Sequence, residues 1–170
     1  MCGLSGLYSR NYEIINKEKL KKILKHRGPD NFQAYEYNND IYNFMAFNRL
    51  SIIDLNKRSN QPYKYKNLIL CFNGEIYNYK KLRVKLIKIK VNFETESDTE
   101  VLIKYLYHYG VRKTLNDIEG MWSFSLFNLK NLKLILCRDY YGEKPLLYLK
   151  KKNKLFYGSE ISVLRFYNRN

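Results

Sequence analysis

Residues 121–159, "MWSFSLFNLKNLKLILCRDYYGEKPLLYLKKKNKLFYGS", hold four apolar runs separated by short polar turns. In the first run Trp122, Phe124 and Leu126 alternate with smaller residues, the period of a strand with one buried face. "LKLILCRD", "PLLYL" and "KLFYGS" follow in hairpin-like order. Strands gathered in this way, with helical patterns elsewhere in the chain, point to an α+β domain built on antiparallel sheets.

Outward from this stretch the same logic continues. "GLSGLYS" near the N-terminus, "IYNFMAFNRL" (41–50) and "LILCFNG" (68–74) read as strands. Residues 17–26 place Leu20, Ile23 and Leu24 on one helical face, and residues 78–90 form a basic amphipathic helix. "SDTEVLIKYLYHYG" (97–110) carries a helix start: Ser97 or Asp98 can cap, acids lie in the first turn, and Gly110 is expected just past the end. No internal repeat or linker divides the 170 residues, so one domain spanning 1–170 is expected.

Composition narrows the function classes. The formal net charge is +15, yet the lysines are spread through "KEKLKKILK", "KKLRVKLIKIK" and "KKKNK", which read as solvated faces. No nucleic-acid motif accompanies them, so no specific nucleic-acid partner is expected. Cys2, Cys71 and Cys137 form no spaced pair and there are two histidines, so no metal site is expected. With no secretory signal and no apolar run of membrane length, the expectation is a cytoplasmic protein without a membrane partner.

Several chemistries are excluded by missing motifs. There is no GxSxG elbow to go with His26 and His108, and neither a GxxxxGK[ST] loop nor GxGxxG occurs. Polar clusters remain where core strands stop or helices start: "HRGPD" (26–30), "NRLSIIDL" (48–55), "NGEIYN" (73–78), "SDTE" (97–100) and "RDYYGEKPLLY" (138–148). Singly, each has a bland reading, since RGPD makes a turn, NG a hairpin and SDTE a helix cap. Their joint occurrence is what asks for a function.

The N-terminus poses the same choice. In "MCGLSG" Cys2 is either a small residue opening a buried strand or, once Met1 is removed, an N-terminal residue carrying thiol and amine together.

As an ordered set, "MCGLSG", "HRGPD", "NRLSIIDL", "QP" (61–62), "NGEIYNY", "SDTE", "GMWSFSLFN", "RDYYGEKPLLY" and "GSEI" resemble the class II glutamine amidotransferases. Within them the set is similar to the N-terminal glutaminase half of asparagine synthetase, with hexosamine-phosphate synthases differing at the HRGPD and NGEIYN turns. The resemblance runs from residue 1 to residue 161. It implies an N-terminal-nucleophile hydrolase fold, a four-layer sandwich of two antiparallel sheets between helical layers.

The resemblance also implies the chemistry. Cys2 is the nucleophile on the side-chain amide of glutamine, and its freed α-amine, with a pKa of about 7.7–8.0, takes the thiol proton and later passes it to ammonia. Asn73, through its side chain, and Gly74, through its N–H, stabilise the oxyanion. Arg49 binds the substrate α-carboxylate, residues Leu50, Ser51, Ile52 and Ile53 line the pocket with their backbone, and Glu75 and Asp98 bind the α-ammonium. Arg27 with Asp30, and Arg138 with Asp139, are expected to pair across turns as braces, while Cys71 and Cys137 are core thiols and the two histidines have no catalytic partner.

The sequence departs from the family in lacking the "SGG"-type pyrophosphate loop of the ATP-dependent synthetase domain. No cofactor is therefore expected in this chain, and ATP, Mg and asparagine formation belong to an absent C-terminal domain or a separate subunit. Residues 160–170 read as the first turns of a helix leading there, and an exposed apolar patch is expected where that partner docks. The resemblance leaves a homodimer open. The competing reading is a non-catalytic docking or regulatory remnant of the same fold, or a glutaminase subunit of another amidotransferase. The presence of all the matched site residues favours the enzyme.

Overall fold

The structure, a computed structural model, describes residues 1–168. Its elements are β1 (Gly3–Ser9), α1 (Lys17–Ile23), β2 (Asn31–Asn38), β3 (Tyr42–Arg49), β4 (Tyr63–Tyr65), β5 (Leu68–Ile76), α2 (Tyr79–Lys88), α3 (Asp98–Asp117), β6 (Gly120–Asn128), β7 (Lys133–Arg138), β8 (Leu147–Lys151), β9 (Lys154–Gly158) and α4 (Ile161–Asn168), with a short 3-10 turn at Lys57–Ser59. The helix expected at 160–170 is α4, and residues 169–170 lie outside the described residues.

All strand pairs are antiparallel. One sheet runs β2-β3-β1-β9-β8 and the other β4-β5-β6-β7. The four runs of residues 121–159 therefore split between the two sheets. β6 and β7 form one hairpin, the chain crosses over, and β8 and β9 form another beside β1.

Burial explains the layering. Leu4, Met45 and Phe47 of the first sheet meet Ile69, Cys71 and Phe127 of the second in a dry layer between them. α1 and α4 cover the outer face of the first sheet through Leu20, Leu24, Val163 and Phe166. α2 and α3 cover the second through Leu82, Leu86, Val101 and Tyr105. Because these central strands are covered on both faces, β3 is buried at all eight positions and shows no alternation of apolar and polar residues.

One local expectation holds and one changes. Gly110 ends the first helical stretch of α3 as expected: it takes φ 76° and ψ 169°, and a second helical stretch runs on from there to Asp117. Glycine tolerates that break, and Thr114 Oγ1 satisfies its carbonyl at 2.7 Å. Asn73-Gly74 is not a hairpin turn, because both residues lie inside β5, opposite Ser123 and Trp122 of β6. A Cβ at Gly74 would stand 2.3 Å from the Met121 carbonyl oxygen, so glycine there serves close strand approach.

Candidate active site

Gly3 pairs with Asn48, so β1 delivers Cys2 beside the end of β3, where Arg49 and Leu50 leave the sheet. The Leu50 N–H donates to Cys2 Sγ at 3.3 Å, and Arg27 Nε donates to the Cys2 carbonyl at 2.9 Å. Arg27 Nη1 is held in turn by Glu160 at 3.2 Å, and His26 Nε2 lies 2.8 Å from the same carboxylate. Burial pushes the Cys2 thiol above its ordinary pKa, and the Leu50 N–H and nearby positive charges offset only part of that.

The opposite wall comes from β5 and the start of α3. Cys2, Arg49, Gly74, Glu75, Ser97 and Asp98 line one shared pocket. Gln61 closes its floor: its side-chain amide accepts from Phe72 N at 2.6 Å and donates to Phe72 O at 3.1 Å, extending the β5 edge beyond β4. Ser97 caps α3 by accepting from Glu100 N at 3.2 Å, which leaves Asp98 in the first turn.

Asp98 is 5% exposed, and its Oδ2 accepts from Ile76 N at 3.1 Å. Burial raises its pKa to about 6; the backbone donors of Ile76 and Thr99 work the other way, while the neighbouring Glu75 adds to the rise. An anionic, poorly solvated end is prepared for a cation.

Leu50, Ile52 and Ile53 line the pocket and Ser51 does not; its N–H is taken by Asp30 Oδ2 at 2.7 Å. Asn73 lies outside the open lining, 2% exposed, and shares with Cys71 the β5 face turned toward the first sheet. Its Nδ2 has no hydrogen-bond partner among the described residues, leaving a buried donor free on the side from which Cys2 arrives.

Arg49 departs from the simplest picture. Nη1 donates to the Asn56 carbonyl at 3.0 Å and to Asn60 Oδ1 at 2.8 Å, and Nη2 donates to the Ile53 and Asp54 carbonyls. Both arms of its fork hold the 53–60 loop. These acceptors are neutral, and a carboxylate is the stronger partner for a guanidinium.

The expected braces also rearrange. Arg27 pairs with Glu160 rather than Asp30, Arg138 donates to the Gly142 carbonyl, and Asp139 gathers the N–H groups of Trp122, Glu143 and Lys144. His26, outside the pocket lining, pairs with Glu160. Ser59 and Thr99, which also line the pocket, carried no sequence signal of their own beyond Thr99 lying within SDTE.

Comparison with known proteins agrees with this geometry. Glutamine-hydrolyzing asparagine synthetase 1 of Bacillus subtilis is 35% identical over 94% of this chain, and asparagine synthetase B of Escherichia coli is 32% identical over 96%. The chain spans only 26% and 30% of those two relatives. Among solved structures, glutamine phosphoribosylpyrophosphate amidotransferase from Bacillus subtilis, complexed with ADP and GMP, superposes with a TM-score of 0.75 at 17% identity. That match covers 98% of this chain and 43% of the other, and it shows a shared sandwich fold. The family signature described as a glutamine amidotransferase domain matches residues 1–169, and this chain belongs to that family.

Proposed function

We propose that the chain hydrolyses glutamine to glutamate and ammonia, with Cys2 as nucleophile once Met1 has been removed. The observation that carries this reading is Cys2 sharing one pocket with the basic residue Arg49 and the acids Glu75 and Asp98. A neutral amide reached through an α-amino acid head fits that charge pattern.

In this reading Asp98 and Glu75 receive the α-ammonium, and Arg49 trades some of its loop acceptors for the α-carboxylate. The freed α-amine of Cys2 takes the thiol proton as sulfur attacks the side-chain amide carbon. Asn73 Nδ2 and the Gly74 N–H donate to the resulting oxyanion. Collapse breaks the C–N bond, the proton leaves on ammonia, and water cleaves the glutamyl thioester to glutamate. Retaining Met1 would turn the amine into an amide and remove the base.

Residues 1–170 form the glutaminase domain of a cytoplasmic enzyme, and the ammonia passes to a synthetase domain or subunit that makes asparagine from aspartate and ATP. Tyr140 and Tyr141, 94% and 84% exposed in the loop after β7, support a docking face for that partner. Glutamate and ammonia release from glutamine by the chain, compared with Cys2→Ala, tests the reading. Equal release by both would end it.

A further inference from the structure

We propose that Asp54 is a positioning residue that sets the spacing between the two charged ends of the pocket. The inference rests on glutamine being the occupant, and it explains why an acid stands in the loop after "NRLSII" without touching the pocket itself.

Arg49 stands at the head of a loop, while Asp98 and Glu75 belong to α3 and β5. Arg49 ends β3 and Glu75 lies in β5, strands of different sheets, so no strand pairing joins the two, and the loop after β3 and the segment before α3 lie outside both sheets. Asp54 ties the two together. Its carbonyl accepts from Arg49 Nη2, and its carboxylate Oδ2 accepts from Glu96 N at 3.0 Å, two residues before Asp98. Oδ1 accepts from Asn56 N at 3.0 Å, folding the loop back on itself.

The geometry is costly unless it is used. Asp54 holds φ 51°, a left-handed conformation that aspartate and asparagine tolerate better than most residues. Its side chain is 4% exposed, although Ile52 and Leu55 on either side are 74% and 75% exposed. Burial opposes its charge, and the Glu96 and Asn56 N–H groups outweigh that, with Arg58 Nε 3.8 Å away, so its carboxyl stays below the usual range.

The receiving segment is itself anchored. Glu100 accepts from Glu94 N at 3.0 Å, from Thr95 N at 2.7 Å and from Thr95 Oγ1 at 2.7 Å. Asp54 therefore fastens the loop held by the Arg49 fork to the segment that enters α3, and so sets the Arg49 side chain against Asp98.

The test uses Asp54→Asn, which keeps the left-handed backbone but presents an NH₂ group to one of the two N–H donors. The expected result is a glutamine KM raised about tenfold or more with kcat within about threefold, since positioning of the substrate head is lost and the nucleophile is untouched. Two electrophiles separate recognition from thiol reactivity. With 6-diazo-5-oxo-L-norleucine, a glutamine-shaped diazoketone, sulfur bonds to the diazo carbon, the thiol proton ends on that carbon, and N₂ leaves. Its labelling of Cys2 should saturate at about tenfold higher concentration, while alkylation by iodoacetamide stays within about twofold.

Combining Asp54→Asn with Arg49→Ala should raise KM little beyond Arg49→Ala alone, because both act on one element. An unchanged KM, equal slowing of both electrophiles, or fully multiplicative effects in the double variant would each overturn the proposal. Asp54→Gly, at ease at φ 51°, replaces Asp54→Asn if the latter unfolds, with the same expectations. Wild-type protein inert to both glutamine and the diazoketone would instead remove the glutamine reading, and this proposal with it.

Discussion

The backbone N–H of Leu50 donates to the sulfur of Cys2 at 3.3 Å, in a setting where burial otherwise favours the neutral thiol. One weak donor does not make a standing thiolate, so the proton must leave with help as attack occurs. In the proposed mechanism that help comes from the α-amine freed by loss of Met1. Activity should therefore fall about tenfold per pH unit below the pKa of that amine, near 7.7–8.0 in free peptides. Intact-mass measurement of the active protein should show Met1 missing. Cys2→Ala and Cys2→Ser should both abolish glutamate release with unchanged circular dichroism. Full activity in protein that retains Met1 would sink the mechanism.

Asp98 should trade stability for binding. Its folded-state pKa of about 6 lies above the ordinary carboxylate value, so its charge destabilises the fold once the pH exceeds about 6. That penalty shrinks as pH falls from 6 and is gone below the unfolded value of about 4. Asp98→Asn, which can still accept from Ile76 N, should stabilise the free protein at pH 7 by on the order of 1–2 kcal/mol, discounted from the roughly 3 kcal/mol the shift implies. The same variant should raise the glutamine KM at least about tenfold. For wild type, KM should climb as pH drops through 6. A melting temperature that falls in Asp98→Asn would contradict the strained-charge account.

Glu100 shows the opposite balance. It is fully buried, and although burial opposes its charge, hydrogen bonds from Lys104, Thr95 and the Glu94 and Thr95 N–H groups hold its pKa below the ordinary value. Lys104 Nζ lies 2.5 Å from Glu100 Oε1 and over the Tyr65 and Phe93 rings. Lys104→Met leaves that carboxylate unpaired and should cost about 3–5 kcal/mol in urea unfolding. Glu100→Gln should cost less, since its remaining oxygen still accepts from the 94–95 backbone. Equal losses would mean the network, rather than the stranded charge, sets the cost.

How much was legible in the sequence follows from the range of the forces involved. The Ser97 cap and the face of Leu20 and Leu24 on α1 are local, and both were readable from spacing. The division of residues 121–159 into two sheets depends on which distant strand each hairpin meets, β5 for β6 and β1 for β9, and no local pattern encodes that. Asn73-Gly74 read as a turn because that dipeptide favours one in isolation. Strand pairing with β6 overrode the local preference, and the closeness of Met121 is visible only in three dimensions. Arg49 was legible as a site residue, but not its engagement with the 53–60 loop, because those acceptors are carbonyls that any sequence supplies. Arg27 was matched to the wrong acid for a different reason: Glu160 is 133 residues away, beyond any local pattern.

Substitutions at Arg49 and Asn73 should separate binding from chemistry. Arg49→Ala removes the charge proposed to face the substrate carboxylate and also frees the loop carbonyls of residues 53, 54 and 56. Both effects weaken binding, so KM should rise by the equivalent of about 2–5 kcal/mol, with a smaller fall in kcat from a misplaced amide. Arg49→Lys should rescue poorly, because one ammonium cannot reach acceptors on both arms of the fork. Asn73 differs in kind. Its Nδ2 is buried and unpartnered in the free protein, so its Ala variant loses no ground-state bond from that donor and should keep its melting temperature within a few degrees. What it loses appears only when the amide carbon turns tetrahedral, and kcat should drop about a hundredfold or more with KM little changed. Steady-state kinetics on the two single variants decides the matter. If Asn73→Ala moved only KM and Arg49→Ala only kcat, the roles would have to be exchanged.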